Sequence, residues 1–481
     1  MSFIGQYLNP SSIQFQETLN SKIYVDKSEL IAVTNEALHT QQKYICVSRP
    51  RRFGKSMAAY MLAAYYVSSE NTENLFSDLK IAKADSFYRH LNKYDVLMIN
   101  MQEFLSKSAS VEEMIKLLNK RVIKEMDRNY QISDMDKEHL DWAMQDVYDH
   151  TEKSFVILID EWDYIFREYD HNEKAQRKYL DFLRSWLKDR PYVCLAYMTG
   201  ILPIKKYGTH SALNMFSEYS MTDSGQMASY FGFTEEEVKG LCLEYGMDFE
   251  EANAWYNGYG FTVSSAGRLE KLSIYNPKSV VEAMLRHNYR NYWNQTETYE
   301  ALKIYIQMNY DGLKDTVSRM LAGGHEPVDI GRFSNDMTTF SGKDDVLTLL
   351  IHLGYLTYDE RSQKTSIPNK EVGQEYLNAI KGIGWNEVIH SIERSYKLLE
   401  AMWNKDEETV AKGIDKAHQE VSILQYNDEN ALSYTISIAF YAAREYYHIV
   451  RECPAGKGFA DVCLIPRKVF AEKPAAVIGA G

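Results

Sequence analysis

Apolar runs alternate with stretches of helical periodicity over the first 200 residues, and this alternation is the main structural signal in the chain. The strand-like runs are residues 44–48, 94–100, 155–161 and 192–200. Helix-forming stretches lie between them, among them residues 57–66 and 111–126. Strands that alternate with helices predict an α/β fold with a mainly parallel sheet.

The loop after the first apolar run carries the first chemical signal. It ends in Gly54-Lys55-Ser56, the phosphate-binding half of a P-loop. In that motif backbone N–H groups at a helix start face an anion, the Lys reaches the terminal phosphates, and the Ser hydroxyl binds Mg²⁺. The strict pattern has Gly six residues before the Lys, where this chain has Arg49. We predict a P-loop with an irregular beginning.

The third apolar run ends in two acids, at the carboxyl end of a strand, which is where ligands bind in parallel sheets. Asp160 is placed to hold magnesium and Glu161 to polarise the attacking water. Acids also end strands in ordinary turns, and Thr199 near the end of the fourth run either senses the γ-phosphate or belongs to a turn. The combination with the P-loop favours nucleotide hydrolysis.

Composition and length narrow the class of protein. A chain of 481 residues with 45% hydrophobic and 25% charged residues predicts a globular protein of two to four domains. The net charge of −13 disfavours indiscriminate polyanion binding but allows a local basic groove. Five cysteines without a CxxC pair argue against a zinc knuckle or a disulfide framework. No membrane span or signal peptide is evident, so we expect a cytoplasmic protein.

Taken together, several segments resemble the bacterial AAA-ATPase-like family, whose members usually pair a P-loop domain with a C-terminal nuclease domain of the PD-(D/E)xK type. The segments are residues 24–27, 48–56, 158–163, 199–200, 231–238, 255–259 and 274–279. An arginine-rich loop is the norm in that family, so the resemblance implies that Arg49 is a family trait. It also implies ATP and Mg²⁺ as cofactors.

These observations predict a set of site residues. We expect Lys55 and Glu161 to act in catalysis, and Ser56 and Asp160 to hold the metal. The nucleotide-binding residues would be Arg49, Arg51, Arg52, Phe53, Gly54, Lys55, Ser56 and Thr199. Whether each loop arginine adds charge around the phosphates, or faces solvent or a neighbouring subunit, stays open.

Two other segments are open to more than one interpretation. Asp26 and Lys27 either frame the nucleotide or cap the helix that follows, and we favour capping. Residues 344–358 have helix periodicity that runs into Gly354 and a short strand, a pattern compatible with a winged-helix module. No basic recognition helix stands out, so we favour a contact role for that module.

The middle region is otherwise structural. Thr234 followed by Glu235–Glu237 predicts an N-cap with acids in the first helical turn. Aromatic residues around Gly258 and Gly260 predict a tightly packed turn in residues 255–261.

The C-terminal part resembles the first half of a PD-(D/E)xK nuclease core. Helices are predicted at residues 392–403, 407–424 and 431–446, followed by a hairpin over 447–465. Glu429 and Asp461 match the leading acids of that family. The Glu-x-Lys that should follow the next strand is replaced by residues 479–481, and Glu472 and Lys473 cannot substitute because neighbouring strand residues face opposite sides. We therefore expect that this polypeptide does not cut nucleic acid.

The sequence thus predicts three domains: a P-loop ATPase domain over residues 1–210, a helical lid and winged-helix-like region over 211–385, and a truncated nuclease-like domain over 386–481. The expected function is ATP binding and Mg²⁺-dependent ATP hydrolysis. The alternatives are a nucleotide-regulated scaffold protein, and a nuclease whose site is completed beyond residue 481 in a parent protein. Beyond ATP, nucleic acid or a protein could be a partner, and oligomerisation is compatible with the sequence.

Overall fold

A computed structural model describes most of the chain. The described residues are 3–169, 172–204, 206–207, 210–211, 213–265, 268–293, 298–308, 310–331, 333, 340–421, 439–455 and 458–478.

Helices and strands are numbered in chain order. The helices are α1 Ile13–Leu19, α2 Leu30–Ala37, α3 Lys55–Tyr66, α4 Glu73–Phe76, α5 Phe87–His90, α6 Met101–Leu105, α7 Val111–Tyr130, α8 Leu140–Thr151, α9 Tyr164–Glu168, α10 Glu173–Leu187, α11 Glu235–Tyr245, α12 Phe249–Tyr256, α13 Pro277–Arg286, α14 Thr298–Gln307, α15 Leu313–Leu321, α16 Lys343–Leu353, α17 Lys370–Ile383, α18 Asn386–Trp403 and α19 Glu407–Val421. The strands are β1 Tyr44–Ser48, β2 Asp95–Asn100, β3 Phe155–Asp160, β4 Val193–Gly200, β5 Lys206–Tyr207, β6 His210–Ser211, β7 Ser217–Tyr219, β8 Phe233–Thr234, β9 Tyr259–Ser265, β10 Arg268–Tyr275, β11 Glu326–Pro327, β12 Thr357–Asp359, β13 Lys364–Ser366, β14 Tyr447–Ala455, β15 Gly458–Pro466 and β16 Ala476–Ile478.

A five-stranded sheet of order β2-β3-β4-β1-β7 forms the centre of the N-terminal part. All its neighbouring strands are parallel. Strands β1, β3 and β4 are buried along their whole length, which explains why they are continuous apolar runs. The predicted α/β fold with a mainly parallel sheet is confirmed. Strand β4 lies between β1 and β3, so the P-loop strand is not the neighbour of the strand that ends in the acids.

Helix α3 follows the loop directly and packs its small and aromatic side chains into a large apolar cluster. The helix begins at Lys55, two residues earlier than predicted. Tyr65 and Tyr66 are fully buried in that cluster. Their hydroxyls are satisfied by neighbours, since Tyr65 donates to the carbonyl of Phe87 and Tyr66 to the side chain of Asn35. The helix that carries the phosphate-binding residues is therefore firmly held.

The predicted structural features of the middle region are present. Thr234 and Glu237 form a reciprocal capping box at the start of α11. Trp255 and Phe261 are buried, as expected for a packed turn. Helix α16 ends at Leu353 with Gly354 as its C-cap and is followed by β12, which is the predicted helix, turn and strand. The assignment of this segment to a winged-helix module stays a prediction.

The chain divides into two compact units. The first comprises Met1–Tyr292 and Val328–Gln363, and the second comprises Trp293–Pro327 and Lys364–Gly481. The three predicted domains, with boundaries at residues 210 and 385, stay a prediction.

The second unit contains the predicted C-terminal hairpin. Strand β14 pairs antiparallel with β15, and β15 pairs antiparallel with β16. Val462 and Leu464 of β15 are buried against helices α18 and α19 in one apolar cluster. The predicted helices over 407–424 and 431–446 extend into residues 422–438, which lie outside the described part of the chain together with Glu429.

Across the described ranges, no helix has both the length and the apolar character required to cross a membrane. Four cysteines, Cys46, Cys194, Cys242 and Cys463, are buried free thiols.

Candidate nucleotide-binding site

The loop that joins β1 to α3 has the conformation expected of an anion-binding loop. Gly54 is the N-cap of α3 and has φ 92°, a left-handed conformation that favours glycine. The helix start leaves backbone N–H groups without partners in the helix, and its dipole favours a negative charge there. The backbone at this point is therefore compatible with the phosphate site that the sequence predicts.

Lys55 is buried beneath this loop. Its Nζ donates to the carbonyl oxygens of Arg49 and Pro50, both at 2.9 Å. Burial lowers the pKa of Lys55, and the negative charges of Glu161, Asp160 and Asp163 act in the opposite direction. The ammonium group thus has backbone partners that a phosphate oxygen would have to replace.

Asp160 joins three elements at the carboxyl end of the sheet. Its Oδ2 accepts a hydrogen bond from the hydroxyl of Ser56 on α3, at 2.7 Å. Its Oδ1 accepts one from the hydroxyl of Thr199 on β4, at 2.5 Å. Ser56, Asp160 and Thr199 are predicted as site residues from separate parts of the sequence, and the fold brings Ser56 and Thr199 into contact with Asp160.

The oxygen atoms at this position suit magnesium. Mg²⁺ prefers hard oxygen ligands, binds through one or two protein carboxylates and keeps several waters. A serine hydroxyl and a carboxylate oxygen 2.7 Å apart provide that chemistry. Ser56 and Asp160 therefore fit the metal role that the sequence predicts for them.

Glu161 directly follows β3 in an unusual backbone conformation. Its φ is 53°, in the left-handed region, and its side chain forms an ion pair with Arg167 of α9. Burial disfavours the charged form of Arg167, but the charges of Asp163 and Glu161 outweigh it, so the pKa of Arg167 lies above its usual value. The acid predicted to orient water is therefore held by a cation.

Asp163 connects this acid to the loop after β4. It is fully buried, and its Oδ2 accepts hydrogen bonds from the backbone N–H groups of Ile201 and Leu202 at 3.1 and 2.9 Å. The same oxygen lies 3.5 Å from Nε of Arg167. Burial raises the pKa of Asp163.

Sequence reasoning assigned no role to Asp163 or Arg167. Their i, i+4 spacing in the segment after the acids is the signal that could have identified the pair, because such residues lie on one face of a helix. The contact of Arg167 with Glu161 spans a turn and could not be inferred in this way.

Arg49 occupies the place of the first P-loop glycine and is fully buried. Its Nη1 donates to the carbonyl oxygens of Ser48 and Tyr219, both at 2.9 Å. The guanidinium group lies 5.0 Å from the ring of Phe261 and 5.7 Å from that of Phe231. Burial lowers the pKa of Arg49 to about 9. In this structure Arg49 anchors the loop to β7 and to aromatic side chains, and its contact with phosphate stays a prediction.

The other loop residues are arranged differently from Arg49. Arg51 is exposed, and Arg52 is half-buried with φ 69°. Phe53 is buried and packs edge-on against Tyr259 at 5.2 Å between ring centroids. The exposed position of Arg51 is compatible with each of the alternatives left open for it.

Asp26 and Lys27, for which a nucleotide role and a capping role were left open, both contact other parts of the fold. Asp26 accepts hydrogen bonds from the backbone N–H groups of Ser28 and Lys80, at 2.8 and 2.7 Å, just before α2. Lys27 forms an ion pair of 2.6 Å with Glu237 in the capping box of α11. These contacts are structural, but the favoured capping role is not observed at α2, whose N-cap is Glu29 and has no side-chain cap hydrogen bond.

At the other end of the chain, Asp461 lies on β15, as predicted. Within the described part of the protein, no group of three or more His, Cys, Asp or Glu side chains is arranged to hold a metal ion.

Comparisons with known proteins bear on the N-terminal part. Residues 12–209 match the family model AAA-ATPase_like, described as "Predicted AAA-ATPase". A protein of Azotobacter chroococcum mcd 1, described as "Uncharacterized protein in vnfD 5'region", is 26% identical over 282 residues, which cover 57% of this chain and 51% of that protein. The chain thus spans about half the length of this curated relative.

A solved structure also aligns with the chain. It is the Walker-type ATPase PABY2304 of Pyrococcus abyssi, with a TM-score of 0.37 and 14% identity, covering 73% of this chain and 94% of that one. The family match over residues 12–209 supports an ATPase-like, ATP-binding function for that part.

Proposed function

We propose that the N-terminal part of this protein binds ATP with Mg²⁺ and hydrolyses it. The observation that carries the proposal is the contact of Asp160 with both Ser56 and Thr199. It brings the P-loop helix, the acid-bearing strand and the neighbouring strand to one point, where ligands bind in parallel sheets.

Each residue has a role that follows from its chemistry. Lys55 would leave its backbone carbonyl partners and stabilise negative charge on the transferred phosphoryl group. Ser56 and Asp160 would hold the metal, and bound Mg²⁺ would neutralise charge on the phosphate oxygens. Glu161 would accept a proton from the attacking water and orient it. Thr199, bonded to Asp160, is placed to respond to the γ-phosphate.

A pair of variants tests binding and hydrolysis separately. Lys55→Ala is expected to weaken ATP binding at least tenfold, about 1.4 kcal/mol, because the phosphates lose their main cation. Glu161→Gln is expected to bind ATP normally and to lower turnover about 100-fold or more. Isothermal titration with ATP and a phosphate-release assay measure the two effects.

Lys43→Ala is the matched control for Lys55→Ala. Lys43 lies directly before β1 and is partly buried. Its Nζ donates to the carbonyl oxygen of Val193 at 2.8 Å. Its loss removes a comparable set of backbone contacts away from the P-loop. Unchanged ATP binding by Lys55→Ala would refute the binding role, and unchanged turnover by Glu161→Gln would refute the catalytic one.

A nucleotide-regulated scaffold is the second candidate function. The ion pair of Glu161 with Arg167 favours it, since an engaged acid is compatible with slow turnover. Turnover measured with and without nucleic acid separates the two, because an ATPase that works on nucleic acid should be stimulated.

We further infer that the sheet of β14, β15 and β16 is related to the first half of a nuclease core. The support is the antiparallel order of these strands and the position of Asp461 on β15. Residues 476–481 contain neither an acid nor a lysine, so a complete set of metal-binding and water-activating groups is not expected within these 481 residues.

A further inference from the structure

The acid proposed to orient water has an oxygen that is already engaged. Oε2 of Glu161 accepts a hydrogen bond from Nη2 of Arg167. The two side chains are only 19% and 11% exposed, respectively. Ion pairs at exposed positions are screened and contribute little, whereas a pair with this burial is screened much less. The contact is therefore strong enough to influence where the carboxylate points.

Arg167 is itself fixed in place from a second side. Its Nε lies 3.5 Å from Oδ2 of Asp163, and its guanidinium lies 5.0 Å from the ring centroid of Tyr164. Asp163 accepts hydrogen bonds from the backbone N–H groups that follow β4. The arginine thus ties Glu161 to the end of the neighbouring strand, on which Thr199 contacts Asp160.

The ion pair with Arg167 restrains the carboxylate that is proposed to orient the attacking water. A charge-assisted hydrogen bond to a guanidinium group takes up one lone pair of Oε2 and fixes the direction in which the carboxylate points. A water-orienting acid must also lie within hydrogen-bond reach of the attacking water. We define the resting state of Glu161 as the carboxylate orientation in this ion pair.

We propose that Arg167 is a positioning residue that holds Glu161 in this resting state, so that ATP hydrolysis requires the ion pair to open. The inference rests on the proposed ATPase function and adds a control on the same site. Turnover is limited by the fraction of molecules in which Glu161 is released from Arg167.

Replacing Arg167 is the direct test. Arg167→Gln is expected to raise turnover at saturating ATP about tenfold, because Glu161 no longer has to leave an ion pair. That factor corresponds to about 1.4 kcal/mol in the activation free energy. Affinity for a non-hydrolysable ATP analogue should stay within about twofold, because the phosphate-binding residues are unchanged. Arg190→Gln is the matched control: Arg190 pairs with Asp141 at 2.9 Å, in a pair that involves none of the site residues, and should leave turnover unchanged.

A double variant shows whether the effect passes through Glu161. Arg167→Gln combined with Glu161→Gln should have the low turnover of Glu161→Gln alone, because the gain expected from Arg167→Gln requires the Glu161 carboxylate. Turnover that falls in Arg167→Gln, or stays at the parent value, would overturn the proposal.

Two other results can be told apart from a failure of this proposal: misfolding of the Arg167→Gln variant, and the absence of ATP hydrolysis in every protein tested. If thermal unfolding shows that Arg167→Gln is unstable, Arg167→Lys decides: it keeps the charge near Asp163 but loses the planar fork, and its turnover should exceed that of the parent. If ATP binds through Lys55 but neither the parent nor either Arg167 variant hydrolyses it, the hydrolysis proposal itself fails, and this inference with it.

Discussion

At the scale of single residues, the P-loop region carries an unusual buried charge. Arg49 is fully buried, and its Nε and Nη2 have no hydrogen-bond partner in the described structure. His352 is 2% exposed, its Nδ1 likewise has no partner, and its ring stacks on Phe333 at 5.7 Å. Buried polar groups without hydrogen-bond partners lower the free energy of unfolding, so these two side chains destabilise the folded protein.

The burial of His352 leads to a prediction about pH. Burial, with a smaller effect of the Arg49 charge, lowers its pKa to about 3, whereas an unfolded histidine has a pKa of about 6.5. Between these values the unfolded chain binds a proton that the folded protein does not, so stability falls as the pH drops, by at most about 1.4 kcal/mol per pH unit. Thermal unfolding midpoints at pH 7 and pH 5 measure the fall.

His352→Gln provides the comparison for that experiment. The variant removes this titration and leaves the other ionisable groups in place, so its midpoint should fall less between pH 7 and pH 5 than that of the parent. An equal fall in both proteins would show that His352 is not the group responsible.

At the scale of elements, the end of β4 lies very close to the segment that follows β3. A Cβ atom at Gly200 would lie 2.6 Å from Oδ1 of Asp163 and 2.6 Å from Nε1 of Trp162. Both of those side chains are fully buried and cannot move away easily. Close approach of β4 to the segment after β3 therefore depends on glycine at this position.

Gly200→Ala is expected to destabilise the protein by about 1–3 kcal/mol, the usual cost of overpacking, and to disturb Asp163. Gly240→Ala is its control, because nothing lies within 4 Å of a Cβ added there in α11. An alanine inside a helix stabilises by roughly 0.5–1 kcal/mol relative to glycine. Thermal unfolding of both variants should give shifts of opposite sign, and equal shifts would contradict the packing explanation.

At the scale of the whole molecule, the first compact unit is discontinuous in sequence. The chain leaves it at Tyr292 and returns with Val328–Gln363, the segment that contains α16 and His352. The second unit contains the sheet of β14, β15 and β16. The candidate nucleotide site thus lies on the first unit and Asp461 on the second.

A plasmid-cleavage assay checks the second unit. No metal-dependent cleavage is expected from this polypeptide with Mg²⁺ or Mn²⁺, since Asp461 lacks the acid and the lysine that complete such a site within the 481 residues. Asp461→Ala is the control for contamination: cleavage by the parent that disappears in this variant would refute the prediction.

Much of the site could be predicted from the sequence because its signals are local. Gly54, Lys55 and Ser56 are consecutive, and Asp160 and Glu161 directly follow a buried apolar run, so the order of strand, loop and helix places them at one sheet edge. The capping box of Thr234 is equally local and was also predictable.

Only the tertiary structure decided which of these groups touch. The insertion of β4 between β1 and β3 brings Thr199 against Asp160, and no sequence pattern states that strand order. The fold likewise turns Arg49 inward and pairs Arg167 with Glu161 across a turn. Sequence by itself determined the elements and the chemical groups, because periodicity and motifs act over a few neighbouring residues. The tertiary structure determined which side chains contact each other, because burial and charge pairing depend on segments that are distant along the chain.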